Sequence, residues 1–233
     1  MVKRNTRTDE RPDGRDTRWD DHRAERRDRV LAAALNAIGR DGSSVSVAAI
    51  GDEAGMPRSV VYRIFRSRED LDEQIRARIL DDLMASLSPA LDPQGTIREA
   101  IRRAVATYVG WAAEHPRLHQ FLGTGSASRR PANSRVVTDT RTAIALRLTR
   151  LLDIYAERLL DGAPAPKGFS LNLAFGMVGL VDAVVNRWVN HPESRSSTDD
   201  LTDFLSNALW GMLSGATAGV GVQLDRDQPL TAL

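Results

Sequence analysis

The chain reads as an all-α protein. Apolar residues recur at three- and four-residue spacing through long windows, and no period-two alternation persists anywhere. Serine or threonine caps, glycines and prolines fall between those windows. The 233 residues suit one large domain or two small ones, and a hydrophobic share of 42% is enough for a core.

The elements follow in order. Residues 1–21 hold alternating arginines and acids and almost nothing apolar, so a disordered arm is expected. Such an arm could reach toward a polyanion, but its charges cancel, which favours a solvated tail. A helix over 22–40 places Val30, Leu31, Ala34, Leu35 and Ile38 on one face, with Gly42 as its cap. Ser46 caps the next helix, whose inward positions are Val47, Ile50 and Ala54, and Gly55 ends it. Pro57 suits the first turn of a short third helix carrying Val61, Ile64 and Phe65 inward. Ser67 caps a long helix with the stripe Leu71, Ile75, Ile79, Leu83 and Leu87, which Pro89 and Pro93 end. Thr96 to Glu99 is a capping-box pattern opening a helix that runs to about Glu114. Pro116 starts a short helix ending near Gly123, and 124–134 reads as a loop. A helix over 135–160 and two apolar helices, about 169–190 and 198–218, complete the chain.

Composition removes several classes of function. Cysteine is absent, so no disulfide framework or thiolate metal site exists. Four histidines, no phosphate-cradling glycine loop and no clustered histidine–carboxylate motif argue against an all-helical enzyme, and no cofactor is expected. His115 and His119 are four apart, but Pro116 interrupts the helix between them and further ligands are missing, so no metal site is expected. The uncharged part of the most apolar stretch, 168–181, is shorter than the roughly 20 residues a bilayer requires. The N-terminus lacks an apolar signal core, so a cytoplasmic protein without membrane association is expected. Net charge is +1, and any signal for nucleic acid must therefore be local.

That local signal lies at 46–68. Two short helices crossing over a tight turn need a tiny residue where they touch, a left-handed residue in the turn and apolar flanks. Gly51, Gly55, and the set Ile50, Ala54, Met56, Val61 and Ile64 supply them. From Pro57 to Arg68 there are four arginines (Arg58, Arg63, Arg66 and Arg68), no acid, and Tyr62 among them. Arginine pairs with phosphate or guanine edges, and a tyrosine hydroxyl bonds phosphate. The combination predicts a helix-turn-helix that binds double-stranded DNA; the plainer alternative is a solvated basic face.

Segment 46–71 resembles the DNA-binding signature of the TetR family. The run Tyr62, Arg63, Ile64, Phe65 and then Ser67, Arg68, Glu69, Asp70, Leu71 is its most specific part, and Ala33, Ile38 and Gly42 of the preceding helix also match. The resemblance covers roughly 25–75; the rest matches in general form only. It implies that Ser46 caps its helix and touches a phosphate, and that Arg58 and Ser59 face bases or backbone. It further implies that Tyr62 binds phosphate, that Arg63 lies on the groove side, and that Arg68 donates to phosphate where the family usually has lysine. Val60, Ile64 and Arg66 depart from a common threonine, histidine and proline. The implied function is a ligand-responsive homodimeric repressor on a palindromic operator. The alternative is a helix-turn-helix regulator without an effector.

For the C-terminal half the resemblance implies ligand sensing and dimerisation. Leu201, Phe204, Leu205, Ala208, Leu209 and Met212 form a stripe on the last helix, where Gly211, Gly215 and Gly219 recur every four residues. The preceding helix offers Phe169, Gly176, Gly179 and Ala183, with Asp182, Asn186 and Arg187 as polar exceptions. Together they predict a dimer interface, the alternative being a hairpin buried within one chain. Tyr108, Trp111, His115, Phe121, Phe175 and Trp188, with His119, Tyr155 and Met177, are the expected lining of an effector pocket, Trp111 or Phe175 on its wall. Few basic residues lie near them, which favours a small apolar or neutral effector. The expected division is an arm at 1–21, a three-helix DNA-binding domain at 22–67, an effector-binding and dimerisation domain at 68–220 and a flexible tail at 221–233.

Overall fold

The computed structural model of the protein describes residues 14–123, 134–159 and 165–230. Within them run α1 (Gly14–Asp41), α2 (Val47–Ala54), α3 (Arg58–Ile64), α4 (Arg68–Ala90), α5 (Ile97–Glu114) and α6 (Pro116–Gly123). α7 (Arg135–Leu159), α8 (Phe169–Asn190) and α9 (Thr198–Ala218) follow, with a 3₁₀ turn at Pro192–Ser194 before α9. Among the described residues the only strand-like pairing is a single bridge between Thr96 and Pro229. The fold is all-α.

α1, α2 and α3 form a small unit around Val30, Ala34 and Ile38 of α1, Ile50 of α2, and Val61 and Phe65 at α3, all essentially inaccessible. Burying each of the larger side chains contributes roughly 1.5–3 kcal/mol. So small a unit has little core of its own. Leu71 and Ile75, on the first turns of α4, are buried in the same cluster and tie it to the second half. There α9 lies on α5, α8 lies on α7 and α6, and α4 packs against α5, α6 and α7. α6 also touches α1, so two elements, α4 and α6, bridge the halves.

Two boundaries differ from expectation. α1 begins at Gly14, so residues 14–21 are helical rather than part of a disordered arm. No glycine or proline interrupts 15–21, and extending an existing helix needs no new nucleus. Residues 1–13 of the expected arm lie outside the described residues, as do most of the expected 124–134 loop and the turn at 160–164.

The tail is the second difference. Far from being flexible, it folds back over the start of α5 as far as Leu230, which is buried. The N–H groups of Ile97 and Arg98 donate to the carbonyls of Gln228 and Arg226, and Leu230 N–H donates to the Gly95 carbonyl at 2.8 Å. A helix start leaves its first N–H groups without partners. The tail carbonyls accept two of them, and the Thr96–Glu99 capping box serves two more backbone N–H groups.

α8 is long and apolar enough to cross a membrane by length and composition. In the fold it packs against α7 and α9, and it carries Asp182, which pairs with Arg141 of α7 at 2.9 Å.

Candidate nucleic-acid interface and the neighbouring cavity

The short α2 is set at both ends. Ser46 Oγ accepts the Ala49 N–H at 3.1 Å, and Gly55 adopts a left-handed φ of 65° that lets its N–H turn back to the Asp52 carbonyl. A side chain at that φ is strained, hence glycine. Met56 N–H then donates to the Gly51 carbonyl at 2.8 Å. A Cβ on Gly51 would stand 2.6 Å from the Met56 carbonyl oxygen, which is why a tiny residue is needed there. The turn delivers α3 with Val61 inward and Arg58, Ser59, Tyr62 and Arg63 outward. Ser46 is exposed as well, on the same short motif. The Arg58 guanidinium lies over the Tyr62 ring, 5.4 Å from its centroid, so the pair presents one preformed donor-bearing face. Arg66 is exposed beyond it.

Arg68 sits differently from its neighbours. Its Nε donates to Asp72 Oδ1 at 2.8 Å and its Nη1 to the Val45 carbonyl at 2.9 Å. Asp72 is almost fully buried, and burial pushes its carboxyl above the usual range while the Arg68 charge and hydrogen bond hold it back. Arg68 is therefore first a strut, locking α4 to the turn before α2. A guanidinium has five N–H donors, so these two bonds do not exhaust it.

The next turns of α4 engage the second half. Glu73 accepts from the Ser134 hydroxyl and from the Val136 N–H at the start of α7. The Arg76 guanidinium lies over the Phe121 ring of α6, 5.1 Å from its centroid. Three successive faces of one helix thus hold the α2 turn, α7 and α6.

A cavity of about 300 Å³ lies among α4, α5, α6, α7, α8 and α9. Its wall is nearly all aliphatic, with Leu83, Ile101, Val105, Leu148 and Leu209 among its residues, and the tail adds Leu224 and Leu230. Its polar residues include Tyr108, His119, Arg141, Asp182 and Asn186, and also Thr140, Thr217 and the Arg147–Asp92 ion pair. The Tyr108 hydroxyl and His119 Nε2 are 2.9 Å apart. Burial raises the Tyr108 phenol and drives the His119 imidazole down to about 4, with the Arg141 charge adding to the latter effect. Both are neutral near pH 7.

Of the six residues singled out for this pocket, only Tyr108 lines it. Trp111 is buried but stacks on His115, ring centroids 5.2 Å apart. Phe121 receives Arg76, and Trp188 donates its indole N–H to the Ser196 carbonyl at 3.0 Å. Phe175 is 43% exposed, outside the cavity. His119, Tyr155 and Met177 do line it, as do many aliphatic residues that carried no distinguishing sequence signal. Among the described residues no group of three or more histidines and acids could hold a metal ion.

The residues expected at a dimer interface divide likewise. Leu201, Leu205 and Leu209 are buried within the chain, where α9 packs on α5, and they do not face outward. Phe169 turns to the cavity. Gly176, Gly179 and Ala183 of α8 are exposed, and on α9 the outward positions are Phe204, Gly211 and Gly215, with Ala208 and Met212 partly covered. The Met212 methyl reaches Gly176, where a Cβ would stand 3.0 Å from it. An apolar, small-residue face therefore remains open across α8 and α9.

The architecture and the basic α3 define a helix-turn-helix DNA-binding protein with a second, larger helical half. Residues 30–75 match the model of the bacterial regulatory proteins of the tetR family. An HTH-type transcriptional regulator of Mycobacterium tuberculosis is 30% identical over 223 residues, spanning 93% of this chain and 90% of that protein. A TetR-family transcriptional regulator from Streptomyces coelicolor shares the fold with a TM-score of 0.65 at 21% identity, over 84% of this chain and 83% of that one. The fatty acid degradation regulator FadR from Bacillus halodurans does so with a TM-score of 0.60 at 16% identity, over 82% and 95%. The chain belongs to the TetR family of transcriptional regulators, whose members bind operator DNA and typically form homodimers.

Proposed function

We propose that this regulator is a cytoplasmic, homodimeric repressor that leaves a palindromic operator when a small apolar or neutral molecule enters the cavity. The cavity carries the reading. A volume of about 300 Å³ with a largely aliphatic wall and a few polar groups has the character of a small-molecule site. Its position supports a link to DNA, because α4 forms part of its wall and also holds the α2 turn through Arg68. A ligand that favours one placement of α4 shifts the placement of α3 to the same extent that it discriminates between them.

The open face of Gly176, Gly179, Ala183, Phe204, Gly211 and Gly215 supports the homodimer, since small residues allow helices of two copies to approach closely. On DNA, Arg58, Ser59 and Arg63 are assigned to base edges, and Ser46, Tyr62 and Arg68 to phosphates, because the N-terminal part of a recognition helix enters the major groove. Two such helices in a dimer are expected about 34–36 Å apart, one turn of DNA.

Selection of bound fragments from genomic DNA, followed by footprinting, tests the operator. A symmetric footprint with two half-sites one turn apart is expected; an asymmetric single half-site would defeat the dimeric reading. Release of the operator fragment by an apolar compound library tests the effector. Compounds that bind the protein without ever altering operator affinity would favour an effector-free regulator.

A further inference from the structure

We propose that the effector is a neutral molecule with an apolar body and a single oxygen acceptor, a ketone, ester, ether or hydroxyl, held by the Nδ1–H of His119. This rests on reading the cavity as the effector site and names what that site selects. His119 is 2% exposed and lines the cavity, yet its Nδ1 has no hydrogen-bond partner. Buried polar groups without partners are rare in native proteins and call for an explanation.

The protonation pattern follows from counting. If the Tyr108 hydroxyl donates to His119 Nε2, the proton sits on Nδ1, and that N–H is the one group left without a partner. If instead Nε2–H donates to the Tyr108 oxygen, two groups are left over, the Nδ1 lone pair and the phenolic hydrogen. The first pattern wastes less, so His119, on the cavity wall, keeps one buried N–H without a partner. A ligand oxygen that accepts from it satisfies the donor, and the ligand's hydrocarbon takes the remaining volume.

The neighbouring charges exclude the charged alternatives. Arg141 is matched by Asp182 at 2.9 Å, and Asn186 also bonds Asp182. An incoming carboxylate would have to displace Asp182 from Arg141. An incoming ammonium would find Asp182 already taken. His119 itself stays neutral, with burial holding its imidazole near 4. Arg147, the other cation on the wall, is likewise paired with Asp92. A buried charge without a partner is costly, and these matched pairs offer none to either sign.

Three probes of equal chain length decide the matter: 2-decanone, 1-decanol and decanoate, at pH 7.4, each titrated by displacement of Nile red from the full-length protein. The ketone and the alcohol are expected to bind at least tenfold more tightly than decanoate. Addition of 2-decanone to histidine-15N-labelled protein should move the Nδ1–H resonance of His119 and leave that of His22 unchanged, with no substitution required. In His119→Leu the ketone should bind several-fold more weakly than to the unsubstituted protein while Nile red still binds. If decanoate binds best, or the His119 ring does not respond to bound ketone, the neutral-acceptor proposal is wrong and the cavity reading survives. If Ala104→Trp, which fills the cavity, leaves Nile red binding unchanged, the cavity reading falls and this proposal with it.

Discussion

Acidification should reveal His119 as a stability switch. Its imidazole titrates near 4 in the folded protein against an ordinary value of 6.5, chiefly because burial disfavours the charged ring and secondarily because the Arg141 charge repels it. In the unfolded chain the ring takes up its proton near 6.5, while the folded chain refuses it until about 4. Stability from this group is therefore fully present above 6.5 and drains away as the pH falls toward 4. At about 1.4 kcal/mol per unit, that interval amounts to about 3 kcal/mol. With the side chain only 2% exposed, solvent does little to reduce the figure. Asp182 works in the opposite sense, because burial raises its carboxyl and the folded state binds that proton more readily. Subtraction isolates the histidine: His119→Gln retains a partner for the Tyr108 hydroxyl and cannot titrate. Urea unfolding of both proteins from pH 7 to pH 4 should show the difference between them change by about 3 kcal/mol, with wild type losing more. Parallel profiles, or an NMR titration placing the His119 midpoint above 6, would refute the reasoning.

Three further outcomes are expected. Arg68→Ala leaves Asp72 buried without its partner and releases the Val45 carbonyl, so urea unfolding should show a loss of about 1–3 kcal/mol, below the fully buried range because Arg68 is partly exposed. Its DNA affinity should drop equally on operator and scrambled duplex, with a salt slope smaller by about one; unchanged stability would show that Arg68 is no strut. Arg58→Ala and Arg63→Ala should each cost about 1–3 kcal/mol on the operator and relax base preference, measured by titration on operator and single-base variants, whereas uniform weakening would move both residues to the phosphates. Phe204→Glu should give a folded monomer by analytical ultracentrifugation, while Leu205→Ala should cost about 2–5 kcal/mol of stability without selectively breaking the dimer, and the reverse pattern would return the interface to the leucine stripe.

The parts of the molecule that were legible in its sequence are those set by short-range chemistry. Ser46, Ser67 and Thr96 each cap a helix within three residues of themselves, and Gly55 makes its turn with its own φ. The cavity depends instead on which side of a helix faces which neighbour, and periodicity does not report that. α9 has two apolar stripes: Leu205 is buried against α5, while Phe204, about 100° around the helix, is 59% exposed. Residue type misled in the same way. The aromatic rings invited a pocket, but Trp111, Phe121 and Trp188 are engaged in stacking or hydrogen bonds, and the cavity wall is leucine, isoleucine and valine, indistinguishable in sequence from ordinary core. The tail was expected to be flexible; the backbone hydrogen bonds that seat it on the start of α5 are something no side-chain pattern displays.

That tail gives the protein an order of completion during synthesis. Domains fold as they leave the ribosome, N-terminal parts first. The helix-turn-helix has all of its own residues, and the α4 strut at Arg68, long before Leu224 and Leu230 exist to close the cavity. A chain cut after α9 would carry an intact recognition helix beneath an unfinished chamber, with the first N–H groups of α5 left to water. Loss of residues 224–230 would therefore leave the helix-turn-helix whole while taking one side off the cavity and two hydrogen-bond acceptors from the start of α5.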